Sequence, residues 1–535
     1  MSNNQELNDI HHQVINTEGI QQEQISSPPL DLSVNTTRSE TPNEELPTTL
    51  QVSKSEAIVA AAIEAGYEVF LDQYADAFAW LPVAEPEPHH ECLKIGTSDF
   101  QFQLLKLRER HSKETPKPGT LKEASKTLKL LAIRNGRKEL ANRVTYVDGK
   151  ILIDQADQAG RAIEVDKTDW KVTSLQQPRF IRYKHQMSLP IPSQGGDWRV
   201  LFNLLNLEQE SERLLVLVWL LSTFHAGIQS PMLLLAGPQG SAKTTISRRL
   251  RGLTDPSVTA VLGDTEVQNL FQTFHSHAVP CFENVAQFNR KTADMFCRAV
   301  TGTGVERRKL FTDSDQVLYQ FRRSIIINGI GIPSHRPDFL ERCIIVRCKR
   351  VESFQLLKTL DQDFEEMRPQ LFGSLLTLLS KTLSTLESTP VATEFRMADF
   401  AHFGRAVARA IGSRDEDFDL AYRMNIAEQT TNLLDNSLVA TLLAMLVAKG
   451  SLPWDGTATK LLVDLTNLAK TTNFLGAKAK LPANARWLAS ELDELAPSLL
   501  KRGIVISRGN RTNEKRIWIV DKAPSPPPAY LDKLK

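Results

Sequence analysis

Apolar residues occur as short runs, alternating stretches and helical periods, and the places where one pattern replaces another divide the chain. Residues 1–50 show none of these patterns: Asn, Gln, Ser, Thr and Glu dominate, and no aromatic residue occurs. Such a segment has too little apolar surface to offset its ordering entropy and reads as a disordered acidic tail. Glu68–Asp72 and Ala77–Leu81 read as short strands, Phe100–Arg110 and Leu121–Arg134 as amphipathic helices. Strands at Arg143–Val147 and Lys150–Asp154 flank Asp148-Gly149, a hairpin signal, with further strands expected at Arg161–Val165 and Trp170–Val172. A region of mixed α and β structure is therefore expected over residues 51–195.

From residue 196 strands and helices alternate. Two helices within Trp198–Phe224 precede the apolar run Leu233–Ala236. Strands follow at Thr259–Gly263, Ala278–Phe282, Ser324–Ile327 and Cys343–Val346, with helices at Glu266–His275 and Lys291–Thr301 between them. A hairpin, Val305–Leu310 and Val317–Phe321 turned by Asp313-Ser314-Asp315, interrupts the series. This order specifies an α/β core with a parallel sheet over 196–350, its ligand at the C-terminal edge of the strands. Residues 351–430 read as a helical lid. Residues 431–522 read as helices Ser437–Ala448, Thr457–Ala469 and Ala485–Arg502, then strands Gly503–Ser507 and Lys515–Val520 around Gly509-Asn510. That is the winged-helix order. Residues 523–535 form a Pro-rich tail.

The chemistry concentrates where the first core strand meets its helix. Gly237-Pro238-Gln239-Gly240-Ser241-Ala242-Lys243-Thr244-Thr245 follows the pattern of a nucleotide phosphate-binding loop, with Ala242 in place of the second glycine. Backbone N–H groups of Gly240 to Thr244 can surround a triphosphate, Lys243 can reach its β/γ end, and the Thr244 hydroxyl can ligate Mg²⁺. ATP and Mg²⁺ are the expected ligands. Glu283, 40 residues past Lys243 at a strand end, stands where a metal-holding acid belongs. Asn284 follows it, so one acid is present where two often share the metal and base roles. Asn328 ends another strand, placed either as a polar sensor of the γ-phosphate or as a turn-forming Asn-Gly. Arg336 and Arg342 precede the last strand, as an arginine finger for a neighbouring subunit or as solvated arginines.

Composition narrows this picture. The 535 residues are 41% hydrophobic and 24% charged, as expected of a soluble chain of several domains. The net charge of +1 conceals eight acids against one base in residues 1–50, which leaves the remainder at about +8, compatible with nucleic-acid contact. Two basic clusters stand out. Arg307-Arg308-Lys309 and Arg322-Arg323 lie on the hairpin, whose tip is acidic at Asp313 and Asp315. Lys501, Arg502, Arg508, Arg511, Lys515 and Arg516 lie in the wing, which serves DNA or protein docking. Five cysteines without a C-x-x-C pair suggest buried thiols in a reducing compartment. The polar N-terminus and the absence of a ~20-residue apolar run point to a cytoplasmic protein with no membrane span.

The loop, Phe282-Glu283-Asn284, Arg308–Asp313, Ile327-Asn328-Gly329 and Arg336–Arg342 together resemble a family of bacterial and phage ATP-binding proteins. That family stands near the superfamily 3 and poxvirus-type primase-helicases, within the AAA+ class. Arg396–Ala401 and the small β unit before the core add to the likeness, which spans about residues 60–520. The resemblance implies a P-loop AAA+-like core and a ring-forming homo-oligomer that uses Mg·ATP to act on DNA in replication, often of mobile elements. Gly237, Gln239, Gly240, Ser241, Ala242, Lys243, Thr244 and Thr245 would hold the nucleotide, with metal at Thr244 and Glu283. Asn328 would be the sensor, and Arg342 the finger ahead of Arg336. Relatives usually carry Asp at the position of Glu283, and the wider class has a second acid at that of Asn284. No primase signature is present, so priming would come from a separate protein. The chain is thus expected to be a DNA-dependent, helicase-like ATPase. The alternatives are an ATP-switched DNA-binding or loading protein with little turnover, and an ATP-dependent signalling or defence protein.

Overall fold

The computed structural model describes residues 53–84, 88–111, 115–263, 267–302, 304–308, 316–352, 356–450, 453–472, 481–508 and 517–522. The acidic tail, the hairpin tip, the Gly509-Asn510 turn and the Pro-rich end lie outside the described residues.

The chain enters through α1 (Lys54–Glu64), started by a capping box in which Ser53 and Glu56 each accept the other's backbone N–H. An antiparallel sheet follows in the order β1 (Glu68–Leu71), β2 (Ala77–Val83), β3 (His89–Lys94), then α2 (Ser98–His111) and α3 (Pro118–Arg134). These elements bury a core of their own, with Ile58, Ala79, Leu81, Phe100, Leu104 and Leu128 at its centre. The next four strands, β4 (Val144–Val147), β5 (Lys150–Asp154), β6 (Arg161–Val165) and β7 (Trp170–Ser174), form an antiparallel meander. Its inner residues Ile151, Ile153, Ile163 and Val165 belong to the main core instead.

The main core is built on α4 (Val200–Leu204) and α5 (Glu210–Ser222), then β8 (Met232–Ala236), α6 (Lys243–Thr254), α7 (Val267–Ser276), β9 (Cys281–Phe282) and α8 (Arg290–Thr301). The hairpin β10 (Val305–Arg308) and β11 (Gln316–Tyr319) comes next, followed by β12 (Ile326–Gly329), α9 (Pro337–Leu340) and β13 (Cys343–Arg347). The sheet is parallel throughout in the order β13-β8-β12-β9. Every residue of β8 is buried, because helices cover both faces of a parallel sheet. Two expected strands are corrected. Thr259–Gly263 forms only a single bridge, in which Leu262 N–H donates to Cys281 O (2.8 Å) and accepts at its own carbonyl from Glu283 (2.9 Å). Ala278–Phe282 shrinks to two residues, since Pro280 has no N–H and those of Ala278 and Val279 donate to the Asp255 carboxylate (2.9 and 3.1 Å).

Three helices follow: α10 (Leu357–Leu386), α11 (Ala398–Ile411) and α12 (Asp415–Asn436). They complete the sheet as well as cover it. β13 is an edge strand, and the Asn425 side chain of α12 satisfies both the N–H (3.1 Å) and carbonyl (2.7 Å) of Ile345. Gln429 adds a bond to Cys343 O (2.8 Å). Two side-chain amides thus stand in for a further strand. The C-terminal part contains α13 (Leu438–Ala448), β14 (Trp454–Thr457), α14 (Ala458–Thr471), α15 (Ala485–Lys501), β15 (Ile504–Arg508) and β16 (Ile517–Lys522). Its antiparallel sheet runs β14-β16-β15. Trp454-Asp-Gly-Thr457 carries turn residues, and only pairing with β16 makes it a strand.

Four of the five cysteines are buried and all are free. Burial pushes the thiols of Cys281 and Cys348 up to about 12 and that of Cys297 to about 11, so they act as small apolar groups. No single helix among the described residues is long and apolar enough to cross a membrane.

Burial also governs three histidines. It lowers His275 to about 4 and His277 to about 3, Arg251 adding to the shift at His277, and it lowers His225 to about 4. A folded-state value below the unfolded one means that the unfolded chain binds more protons between them. Stability is therefore complete above about pH 6.5 and is lost as pH falls from there towards 3. Thermal melts at pH 7.5 and 5.0 are expected to show a lower midpoint at pH 5.0; equal midpoints would contradict it.

Candidate nucleotide site

Strand register brings three of the expected groups to one edge. Asn328 pairs with Leu235 and Gly329 with Ala236, so β12 ends beside Gly237; Phe282 pairs with Ile327, so Glu283 follows beside Asn328. At about 4.8 Å per strand, the loop after β8 and Glu283 after β9 are about 10 Å apart across the sheet.

The loop itself is held from both sides. Gly237 donates to Gly329 O (3.3 Å), Cys348 donates to Ala236 O (2.8 Å), and Val351 donates to Gly240 O (3.0 Å). A Cβ on Gly237 would lie 2.2 Å from the Cys348 carbonyl oxygen, so glycine is required by close approach. Gly240 (φ 75°) and Ala242 (φ 58°) are both left-handed. At Ala242, the cap of α6, this conformation costs an alanine about 1–2 kcal/mol that glycine would not incur. Strain of this kind survives only where neighbouring contacts hold it in place. α6 is anchored by the apolar face Ile246, Leu250 and Leu253.

Among the described residues the N–H groups of Gln239 to Thr244 donate to no backbone carbonyl. They lie at the N-terminus of α6, the arrangement that receives an anion. The Lys243 Nζ turns back onto the loop, donating to Gly237 O (2.8 Å), Pro238 O (2.6 Å) and Ser241 Oγ (3.0 Å). Partial burial lowers its pKa from the ordinary lysine value. Ser241 is buried and donates to Pro238 O (2.8 Å), while Thr244 and Thr245 are half-buried and Gln239 is exposed. Glu283 is half-buried, and Asn284 is exposed with a left-handed backbone (φ 54°).

Asn328 has a more structural place than a free sensor. It is 2% exposed; its Oδ1 accepts the N–H of Asn284 (3.1 Å) and its Nδ2 donates to Ser247 Oγ of α6 (2.9 Å). One amide therefore couples the helix that follows the loop to the segment that carries Glu283. Ser247 and the Cys348–Val351 segment were missed in the sequence because their contribution is tertiary. Only the spacing of Ser247 one helical turn after Lys243, on the same face, could have pointed to it.

Residues 199–430 match the family described as actinomycete integrative conjugative element replication protein, and residues 438–529 match the C-terminal domain of that family. Together the two matched regions span most of residues 199–529. Its fold resembles that of an active helicase, SCCmec type IV Cch, at 12% identity and TM-score 0.46, over 85% of this chain and 93% of that one. It also resembles the C-terminal region of NrS-1 at 13% identity and TM-score 0.41, over 87% and 99%. JCV helicase aligns at 14% identity and TM-score 0.23 over 40% and 59%. No curated protein matches the sequence.

Of the two candidate arginines, Arg342 stands apart from the loop. Arg342 O accepts the N–H of Met232 (2.7 Å), the first residue of β8, which places Arg342 at the N-terminal edge of the sheet. The length of β8, about 13 Å, separates the two edges. Arg342 donates to Asp338 O, while Arg336 is paired with Asp294 (2.6 Å) and Asp338 (3.0 Å). Burial opposes but does not outweigh these acids, which raise its pKa. Among the described residues neither arginine bonds to Lys243, Glu283 or Asn328. The hairpin arginines are also corrected in part: Arg323 is spent on Phe274 O (2.6 Å) and His275 O (3.1 Å), and Arg322 donates to Gly227 O (3.0 Å). Arg307, Arg308 and Lys309 carry no described side chain.

Proposed function

We propose that the protein is a Mg·ATP-binding, DNA-dependent ATPase, a helicase-like motor that serves replication of an integrative element in the cytoplasm. The observation that carries this reading is the convergence of an anion-receiving loop, an acid and a polar amide on the C-terminal ends of three adjacent parallel strands. The main core is then a P-loop core of AAA+ type under the α10–α12 lid, and the C-terminal part a winged helix. Gly237 to Thr245 would hold the triphosphate, with the Thr244 hydroxyl and Glu283 holding Mg²⁺. That ion, when bound, would draw charge from the phosphate oxygens. Glu283 is also the group nearest in kind to a base for the attacking water. Arg342, on the opposite edge of the sheet, and Arg336 would serve a neighbouring copy in a homo-oligomeric ring, and a separate primase would supply primers. One observation favours an ATP-switched loader with slow turnover: Asn284, rather than a second acid, follows Glu283.

ATPase rates with and without single-stranded DNA test the reading. DNA-stimulated turnover supports the motor; tight ATP binding with no turnover under either condition leaves the loader. Glu283→Gln is expected to cut turnover by about 10²-fold or more while ATP binding changes little. Unchanged turnover would remove Glu283 from the chemistry.

A further inference from the structure

We infer that the exposed face of α3 is a contact for the phosphate backbone of duplex DNA. The site lies outside both family matches, which begin at residue 199. The inference rests on the reading that the protein works on DNA.

α3 buries one stripe, Leu121, Ala124, Ser125, Leu128 and Ala132, against its own small core. Its other side carries Lys122, Lys126 and Lys129, all exposed. Spacings of four and three residues put these lysines on one face, about 6 and 4.5 Å apart along the axis. Lys117 precedes the helix and Arg134 ends it, while the neighbouring α2 adds Lys106, Arg108 and Arg110. The acids on the two helices are Asp99, Glu109 and Glu123, and Asp99 is paired with Lys184 (3.2 Å).

What distinguishes this face is the state of its charges. Among the described residues none of these eight basic side chains is in an ion pair, whereas basic groups elsewhere commonly are: Lys138 with Glu68, Arg347 with Glu428, Arg409 with Asp415. The two described wing arginines show the contrast. Arg502 is paired with Asp435 and Arg508 with Asp493, and α15 itself carries Glu491, Asp493 and Glu494. Unpaired exposed lysines gain most from a dense row of phosphates, which releases condensed counterions. α3 bears no aromatic residue on which unstacked bases could lie, and the exposed Phe102 ring of α2 is already covered by the Lys106 ammonium (4.8 Å), so the face suits a duplex backbone and carries no base readout. Leu130 and Ile133, exposed beside the stripe, extend the contact with apolar surface that a sugar edge can cover.

The test is binding of the full chain, without nucleotide, to a labelled duplex and to a single strand of equal length over a series of salt concentrations. Replacing Lys122, Lys126 and Lys129 together by Ala is expected to weaken duplex binding at least tenfold. The slope of log K against log salt should become shallower by about 2.7, near 0.9 per lost phosphate contact. The corresponding triple Lys→Arg variant should retain both affinity and slope, which separates loss of charge from loss of fold. Unchanged duplex affinity and slope in the Ala variant would overturn the inference, as would a loss confined to the single strand. Wild-type binding to single strand alone would overturn this inference and leave the proposed function standing. No binding to either would remove both.

Discussion

Lys243→Ala is expected to abolish ATP turnover and weaken ATP binding by about 10- to 100-fold. Two effects add. A hydrogen bond from an ionised donor to a charged acceptor contributes about 1.5–3 kcal/mol, which sets the loss of affinity. Positive charge aimed where charge develops in the transition state adds a further ~10²–10³ in rate. Local structure supplies a third consequence. Nζ holds Gly237 O, Pro238 O and Ser241 Oγ together, so its removal also frees a loop that contains a strained Ala242. Titration with a fluorescent ATP analogue and a coupled ATPase assay read the two losses separately. Retained affinity together with retained turnover would show that the loop does not serve a nucleotide.

Asp255→Ala is expected to cost about 3–5 kcal/mol of stability, the range found when one partner of a buried ion pair is removed. Asp255 caps the end of α6 and is 0% exposed. Burial by itself would raise the pKa of its carboxyl, but Arg143 and Arg251 outweigh this and hold it below the usual range. One oxygen accepts from Arg143 Nε (3.1 Å), and the other from the N–H groups of Ala278 and Val279. Arg143, with a fully buried side chain, also donates to Asp154 O (3.2 Å) and Met187 O (3.1 Å). A single carboxylate thus joins the β4–β7 meander, the end of the loop helix and the segment leading to Glu283. The alanine variant leaves two buried arginines without their charge partner and two N–H groups without an acceptor. A urea unfolding curve measures the loss; a shift within 1 kcal/mol would show that the network is dispensable. Turnover should fall more than ATP affinity, because the segment that loses its anchor carries the acid and the loop keeps its own supports.

Much of this architecture is legible along the chain. The loop needs an apolar strand, glycines and a Lys-Thr helix start, all local, and each stands where it was expected. The longer helices are likewise visible, because their buried residues repeat at helical spacing, as Leu121, Ala124, Leu128 and Ala132 show. What escaped the sequence reading depended on partners distant in the chain. Thr259–Gly263 has strand composition but meets its neighbour at one residue, since Asp255 takes the N–H groups that a longer β9 would have offered. Trp454–Thr457 has turn composition but pairs with β16.

The candidate site divides along the same line. Sequence alone marked the residue types that the proposed phosphate site would use: Gly237, Gly240, Lys243 and Thr244 depend on backbone conformation and reach within a few residues of one another. Only the tertiary structure decided that Asn328 is a buried strut between Ser247 and Asn284. Only it decided that Arg342 lies on the far edge, that Arg336 is paired with Asp294 and Asp338, and that Arg323 is consumed by backbone carbonyls. Those outcomes follow from strand order and register, which join residues tens of positions apart and leave no periodic trace in the chain. The lysines of α3 show the remaining case: the charges were always visible, but whether each had an acid beside it could be settled only in three dimensions.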